Sequence, residues 1–98
     1  MNDLLRYRLW MGGVRNEVRY LGYPLLLTPT EYRILRCIAE SEERGIAAEA
    51  LLMLLRGAKK STATVAVHIC TINRKAYEIG QRRLILSDAG KYYLNECM

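Results

Sequence analysis

Apolar and polar residues alternate from Leu4 to Met11. Leu5, Tyr7, Leu9 and Met11 fall on one side, and Leu4, Arg6, Arg8 and Trp10 on the other. A period of two predicts a half-buried strand. Gly12-Gly13 marks a turn. Two more short strands are expected at Glu17–Tyr20 and Leu25–Leu27, around Gly22-Tyr23-Pro24. Together they predict a small antiparallel sheet.

The period then lengthens. Thr28-Pro29-Thr30-Glu31 is a helix start. The threonine hydroxyl caps free backbone N–H groups, Glu31 reaches back to complete a capping box, and proline at the first helical position gives up an N–H that has no partner there. This helix is expected to run to about Glu40, with Ile34, Leu35 and Ile38 turned inward. After a polar connector, Ser41 to Gly45, a second helix is expected from Ala48 to about Arg56, with Leu51, Leu52 and Leu55 on its core face and Gly57 as its stop. A third opens near Ser61 or Thr62. Val65, Ile69, Ile72 and Ala76 recur at helical spacing, and the opposite face holds Ala63, Val67, Cys70, Thr71 and Arg74. Gly80 ends it. Leu84 to Ser87, a turn at Asp88-Ala89-Gly90, and Tyr92 to Leu94 predict a closing hairpin.

Helix, turn, basic helix and hairpin is the layout of a winged helix-turn-helix, a module that places a helix in the DNA major groove with a hairpin beside it. The fold class is therefore α+β. The 98 residues suit a single domain, with strands over 1–27, three helices over 28–80 and a wing hairpin over 83–95. No apolar run approaches the roughly 18 residues that span a bilayer. Cys37, Cys70 and Cys97 form an odd set without C-x-x-C spacing, so neither a metal site nor a disulfide framework is expected, and a cytoplasmic setting follows. No glycine loop for phosphates, nucleophile–base pair or catalytic acid pair is present. The expectation is binding without catalysis, with no cofactor, metal, membrane or small-molecule substrate.

Charge sharpens the picture. The net charge is +5 and uneven: residues 1–56 carry eight arginines against seven acids, whereas residues 57–98 carry seven cations against three acids. A polyanion partner calls for such an excess beside the third helix and the hairpin. Arg74 is the leading groove residue, because a guanidinium donates bidentately to guanine O6 and N7. Thr71, Asn73 and His68 are further groove candidates, Asn73 through adenine if it points outward. Val67 and Cys70 offer only apolar contact, for example to a thymine methyl. Thr64, Lys59, Lys60, Lys75, Lys91 and Arg83 are phosphate-contact candidates. Of Tyr7 and Trp10, on opposite sides of the first strand, one is expected to be exposed and to suit a partner domain or a second copy.

The segments LLLTPTEYRILRCIAE, EALLMLL, STATVAVHICTINRKAY and RRLILSDAGKYYL, in this order and spacing, resemble the C-terminal effector domain of OmpR/PhoB-type response regulators. The resemblance spans nearly the whole chain. It implies an N-terminal sheet packed on three helices, a third helix in the major groove of double-stranded DNA, and a wing that reaches the minor groove or a phosphate. It also implies a receiver domain or a second copy as a further partner. Two departures stand out. Cys70, Thr71 and Asn73 occupy places where the family often has arginine, and Asp88 stands where its wing often has one. They define an alternative, the same fold serving as a protein-interaction module.

Overall fold

The computed structural model describes residues 9–12, 16–55 and 61–95. Among the described residues, six short strands and three helices are arranged as two small antiparallel sheets around a helical core.

The first sheet has the order β1-β2-β3, from β1 (Leu9–Met11), β2 (Val18–Tyr20) and β3 (Tyr23–Pro24). Leu9 faces Tyr20, and Arg19 sits between Trp10 and Pro24. Alternation holds here: Leu9, Val18 and Tyr20 are buried, while Trp10 and Arg19 are exposed. The first strand is half-buried as its pattern predicts, although Leu4 to Arg8, Tyr7 among them, lie outside the described residues. The third strand comes two residues earlier than expected. Leu21 and Gly22, with φ of 53° and 84°, make a two-residue turn, so pairing resumes at Tyr23. Left-handed backbone at both turn positions matches the twist of the flanking strands. Pro24 is tolerated because β3 lies at the edge of the described sheet. Leu25 still donates its N–H to Val18.

Helix α1 spans Pro29–Ser41 and begins as its sequence predicts. Thr28 Oγ1 accepts from the N–H of Glu31 at 3.2 Å, and Glu31 Oε1 accepts from the N–H of Thr28 at 3.0 Å. Tyr32, Ile34, Leu35 and Ile38 are buried, and the Tyr32 hydroxyl donates to the Gly12 carbonyl, tying α1 to the first sheet.

The chain between α1 and the second helix holds an element that sequence periodicity missed. Ile46–Ala47 is a two-residue strand, β4. It is too short to carry a period. Gly45 precedes it at φ 71° and ψ 176°, a region open almost only to glycine. A Cβ at Gly45 would collide with the Tyr93 ring, so both conformation and space demand glycine. Helix α2 is only Ala48–Leu51, followed by a single 3-10 turn at Leu52–Leu54, and Leu55 is already extended at φ −87° and ψ 149°. The expected helix to about Arg56 is thus cut short. Its N-cap residue, Ala47, makes no side-chain capping bond, and the 3-10 turn drives Leu51 and Leu55 into the core while Leu52 stays half-buried. Gly57, expected as the stop, lies outside the described residues.

Helix α3 spans Thr62–Gly80. The hairpin of β5 (Ile85–Asp88) and β6 (Lys91–Leu94) follows, and β4 pairs with β6 to give the order β4-β6-β5. Ala89 and Gly90, with φ of 52° and 79°, form its turn. Because Ile46 pairs with Tyr92 and Ala48 donates to the Gly90 carbonyl, the hairpin is bonded to the start of α2 and does not hang free.

Candidate nucleic-acid interface

Helix α3 is rich in β-branched residues, which lower intrinsic helix preference. Its ends and one face hold it. Ser61 caps the start, with its Oγ accepting from the N–H of Thr64 at 3.3 Å. Val65, Ile69, Ile72 and Ala76 are all buried against the core that contains Leu35, Ile38 and Leu51. At the far end the left-handed residue is Gln81, which returns its N–H to Tyr77. Gly80 serves a different need: a Cβ there would come within 2.9 Å of the Tyr20 hydroxyl and Leu21, so glycine lets the first sheet approach the helix end.

With that stripe hidden, the opposite side of α3 is open. Ala63, Ala66, Val67, Cys70 and Arg74 are exposed in a row at helical spacing, with Tyr77 below them. The Arg74 guanidinium forms no ion pair with a described residue. The wing tip is the turn between β5 and β6. Its Asp88 and Lys91 are cross-strand partners, both exposed, so the two charges offset each other there. Arg83 is exposed, and its backbone carbonyl accepts from the Asn95 amide at 2.9 Å.

Several polar candidates turn out to be engaged inside the protein. Asn73 was expected to read adenine if it pointed outward. Instead its amide spans both backbone groups of Ile85: Nδ2 donates to the carbonyl at 3.0 Å, and Oδ1 accepts from the N–H at 2.8 Å. It fastens the wing's first strand to α3, with both ends of the amide turned to Ile85. Lys75, expected at a phosphate, donates to Glu31 Oε1 at 2.8 Å. That oxygen is also the one in the capping box, so a single carboxylate joins the start of α1 to the middle of α3. Burial pushes the Glu31 carboxyl up. The Lys75 hydrogen bond, the Thr28 N–H and the charges of Lys75 and His68 outweigh it and hold the group below its ordinary value of 4.5. His68 is half-buried on this same flank. Thr71 is half-buried and donates its hydroxyl to the Val67 carbonyl at 3.1 Å. Thr64 stands in the first turn, 3.2 Å from Ser61 Oγ. Lys59 and Lys60 lie outside the described residues.

The arrangement offers a rod-like face about 19 residues long with a hairpin clamped beside it. The family model for "Transcriptional regulatory protein, C terminal" matches residues 22–94. The chain belongs to this family. The fold agrees with solved structures at low identity. The response regulator AdeR DNA binding domain, in complex with an intercistronic region, is similar with a TM-score of 0.80 and 20% identity, over 92% of this chain and 96% of that one. The RstA DNA-binding domain of Klebsiella pneumoniae, in complex with the RstA box, gives 0.71 and 22%, over 89% and 90%. A redox sensor of the streptococci, described as evolved from two-component response regulators, gives 0.77 and 22%; the similarity covers 92% of this chain and 40% of that one. No curated protein sequence matches the chain. Among the described residues no helix is long and apolar enough to cross a membrane.

Proposed function

We propose that this transcription-regulator domain binds double-stranded DNA, with α3 in the major groove and the β5–β6 wing alongside. One observation carries the reading. The stripe Val65, Ile69, Ile72 and Ala76 is buried, so the face bearing Arg74 points away from the body of the protein. The exposed face and the hairpin together have the form of a groove-binding module. Membership of the family supports the same assignment, and the two DNA complexes of similar fold are in accord with it.

In this reading Arg74 contacts a base edge. Thr64, in the first turn of α3, and Lys91 and Arg83, on and before the wing, contact phosphates, as do Lys59 and Lys60. Thr71 and His68 line one flank of the groove contact. The role is binding only, with no catalysis, in the cytoplasm. The chain acts as one domain, and its partner within the regulator is a receiver domain or a second copy.

Binding built on phosphate neutralisation weakens steeply as salt rises. Titrating labelled mixed-sequence duplex DNA between low and moderate salt tests the proposal. The expected outcome is measurable affinity at low salt that declines log-linearly with salt. Arg74→Ala is expected to weaken binding more than Arg19→Ala, whose guanidinium lies on the first sheet beside Glu17. No binding at low salt refutes the reading.

A further inference from the structure

We propose that α3 recognises thymine through its methyl group. Ala63, Ala66, Val67 and Cys70 pack against C5-methyls in the major groove, and Arg74 sets the register on one guanine about three base pairs away. The inference rests on the DNA-binding reading above and adds to it what kind of sequence the face selects.

The outward face lacks the polar side chains that read adenine and cytosine. Adenine is recognised in the major groove by a side-chain amide that bonds N6 and N7, and cytosine by an acceptor for N4. Asn73 has the needed amide, and both its ends are bonded to Ile85. Lys75 is bonded to Glu31, and the Thr71 hydroxyl proton to the Val67 carbonyl. Among the described residues of the outward row, Arg74 alone brings charged donors.

What the row does carry is apolar. Residues 63, 66, 67 and 70 lie at the i, i+3, i+4 and i+7 positions of one helix face, and Val67 is 64% exposed. A single exposed valine is ordinary, but four small apolar side chains in a continuous patch on a groove-facing surface have a selective consequence. The thymine methyl is the only apolar feature that a base pair presents in the major groove. Pressed against this patch, a methyl gains burial. The polar groove atoms of either kind of pair would lose water there without a replacement partner, so the difference between pairs is the methyl that thymine adds and a G·C pair lacks. The same surface thus favours thymine over G·C.

Spacing fixes the register. Seven residues separate Val67 from Arg74, which at 1.5 Å per residue is about 10.5 Å along the helix, or about three base-pair steps of 3.4 Å. The face therefore calls for a thymine-bearing step with a guanine about three pairs away.

The test begins with a random-sequence duplex library. Duplexes retained by the chain at low salt are expected to share thymine steps followed, about three pairs on, by a guanine. Each selected thymine is then replaced by deoxyuridine, which keeps the pairing and removes only the methyl. Binding is expected to weaken about fourfold for each contacted methyl, the transfer value of one buried carbon. In Val67→Ala, an exposed position that does not bear on the core, the uracil penalty at one step is expected to shrink toward none. Equal affinity for thymine and deoxyuridine duplexes at every position overturns the inference while leaving DNA binding intact, as does selection of G·C pairs across the segment. Retention of no duplex at all overturns the DNA-binding reading itself.

Discussion

Asn73 offers a sharp perturbation, because its sequence position suggests a base contact and its geometry gives it an internal one. Asn73→Ala removes two hydrogen bonds, at 3.0 and 2.8 Å, from the backbone of Ile85, a residue only 2% exposed. Each such bond contributes about 1 kcal/mol net, and stranding a buried N–H or carbonyl costs about 1–3 kcal/mol. Partial access of water to the edge of β5 offsets some of that cost. The expected loss is about 2–3 kcal/mol, which for a urea slope of about 2 kcal/mol/M lowers the midpoint by about 1–1.5 M. The damage is local first. The Ile85 amide is expected to exchange its hydrogen much faster in the variant, while amides in the middle of α1 slow or quicken only with global stability. Asn73→Asp keeps the acceptor for the Ile85 N–H but sets a carboxylate against the Ile85 carbonyl, so it is expected to rescue little at neutral pH. Urea unfolding and amide exchange read both effects. Unchanged stability and unchanged Ile85 protection in Asn73→Ala, together with weakened DNA binding, would refute the assignment and return Asn73 to the groove.

Three further outcomes follow from the geometry. Glu31→Gln is expected to destabilise the fold by about 1–3 kcal/mol at neutral pH, since the amide can keep the capping bond but loses the charge-assisted bond to Lys75. Because folding lowers the Glu31 pKa below 4.5, this stabilisation is fully present above about pH 4.5 and is lost as pH falls through the folded value; the gap between wild type and variant in denaturant midpoints should persist at neutral pH and close in acid. Gly45→Ala should cost about 3 kcal/mol or more, from a backbone region closed to alanine and a clash with the Tyr93 ring, and a thermal melt checks it. Ala89→Asn is expected to raise the melting temperature slightly, by a stabilisation of about 0.5 kcal/mol, because the left-handed φ of 52° suits asparagine better than alanine.

The parts of the fold that were legible in the sequence are those with a local cause. The capping box of α1 is written in Thr28 and Glu31 and forms as expected. The buried stripe of α3 is written in the spacing of Val65, Ile69, Ile72 and Ala76. The hairpin turn at Ala89-Gly90 follows from its glycine and flanking alternation. The parts that were not legible are set by distant residues. Strand β4 has two residues and exists because Tyr92 and Lys91 offer it a partner. The early end of α2 reflects where its leucines reach the core. Gly80 looks like a helix stop, yet its reason is the approach of Tyr20, and the left-handed cap falls on Gln81. The same division runs through the candidate interface. Exposure of Arg74 follows from helical period. The diversion of Asn73 to Ile85 and of Lys75 to Glu31 joins residues 12 and 44 positions apart, which no local pattern encodes.

The central claim is that the outward row of α3 and the wing tip meet DNA. Amide NMR of the chain titrated with duplex DNA tests it most directly. Shifts are expected to concentrate on residues 61–74 and on the wing tip at 88–91, with the first sheet around Trp10 and Arg19 unmoved. Shifts confined to that sheet, or a spectrum indifferent to DNA at low salt, would contradict it.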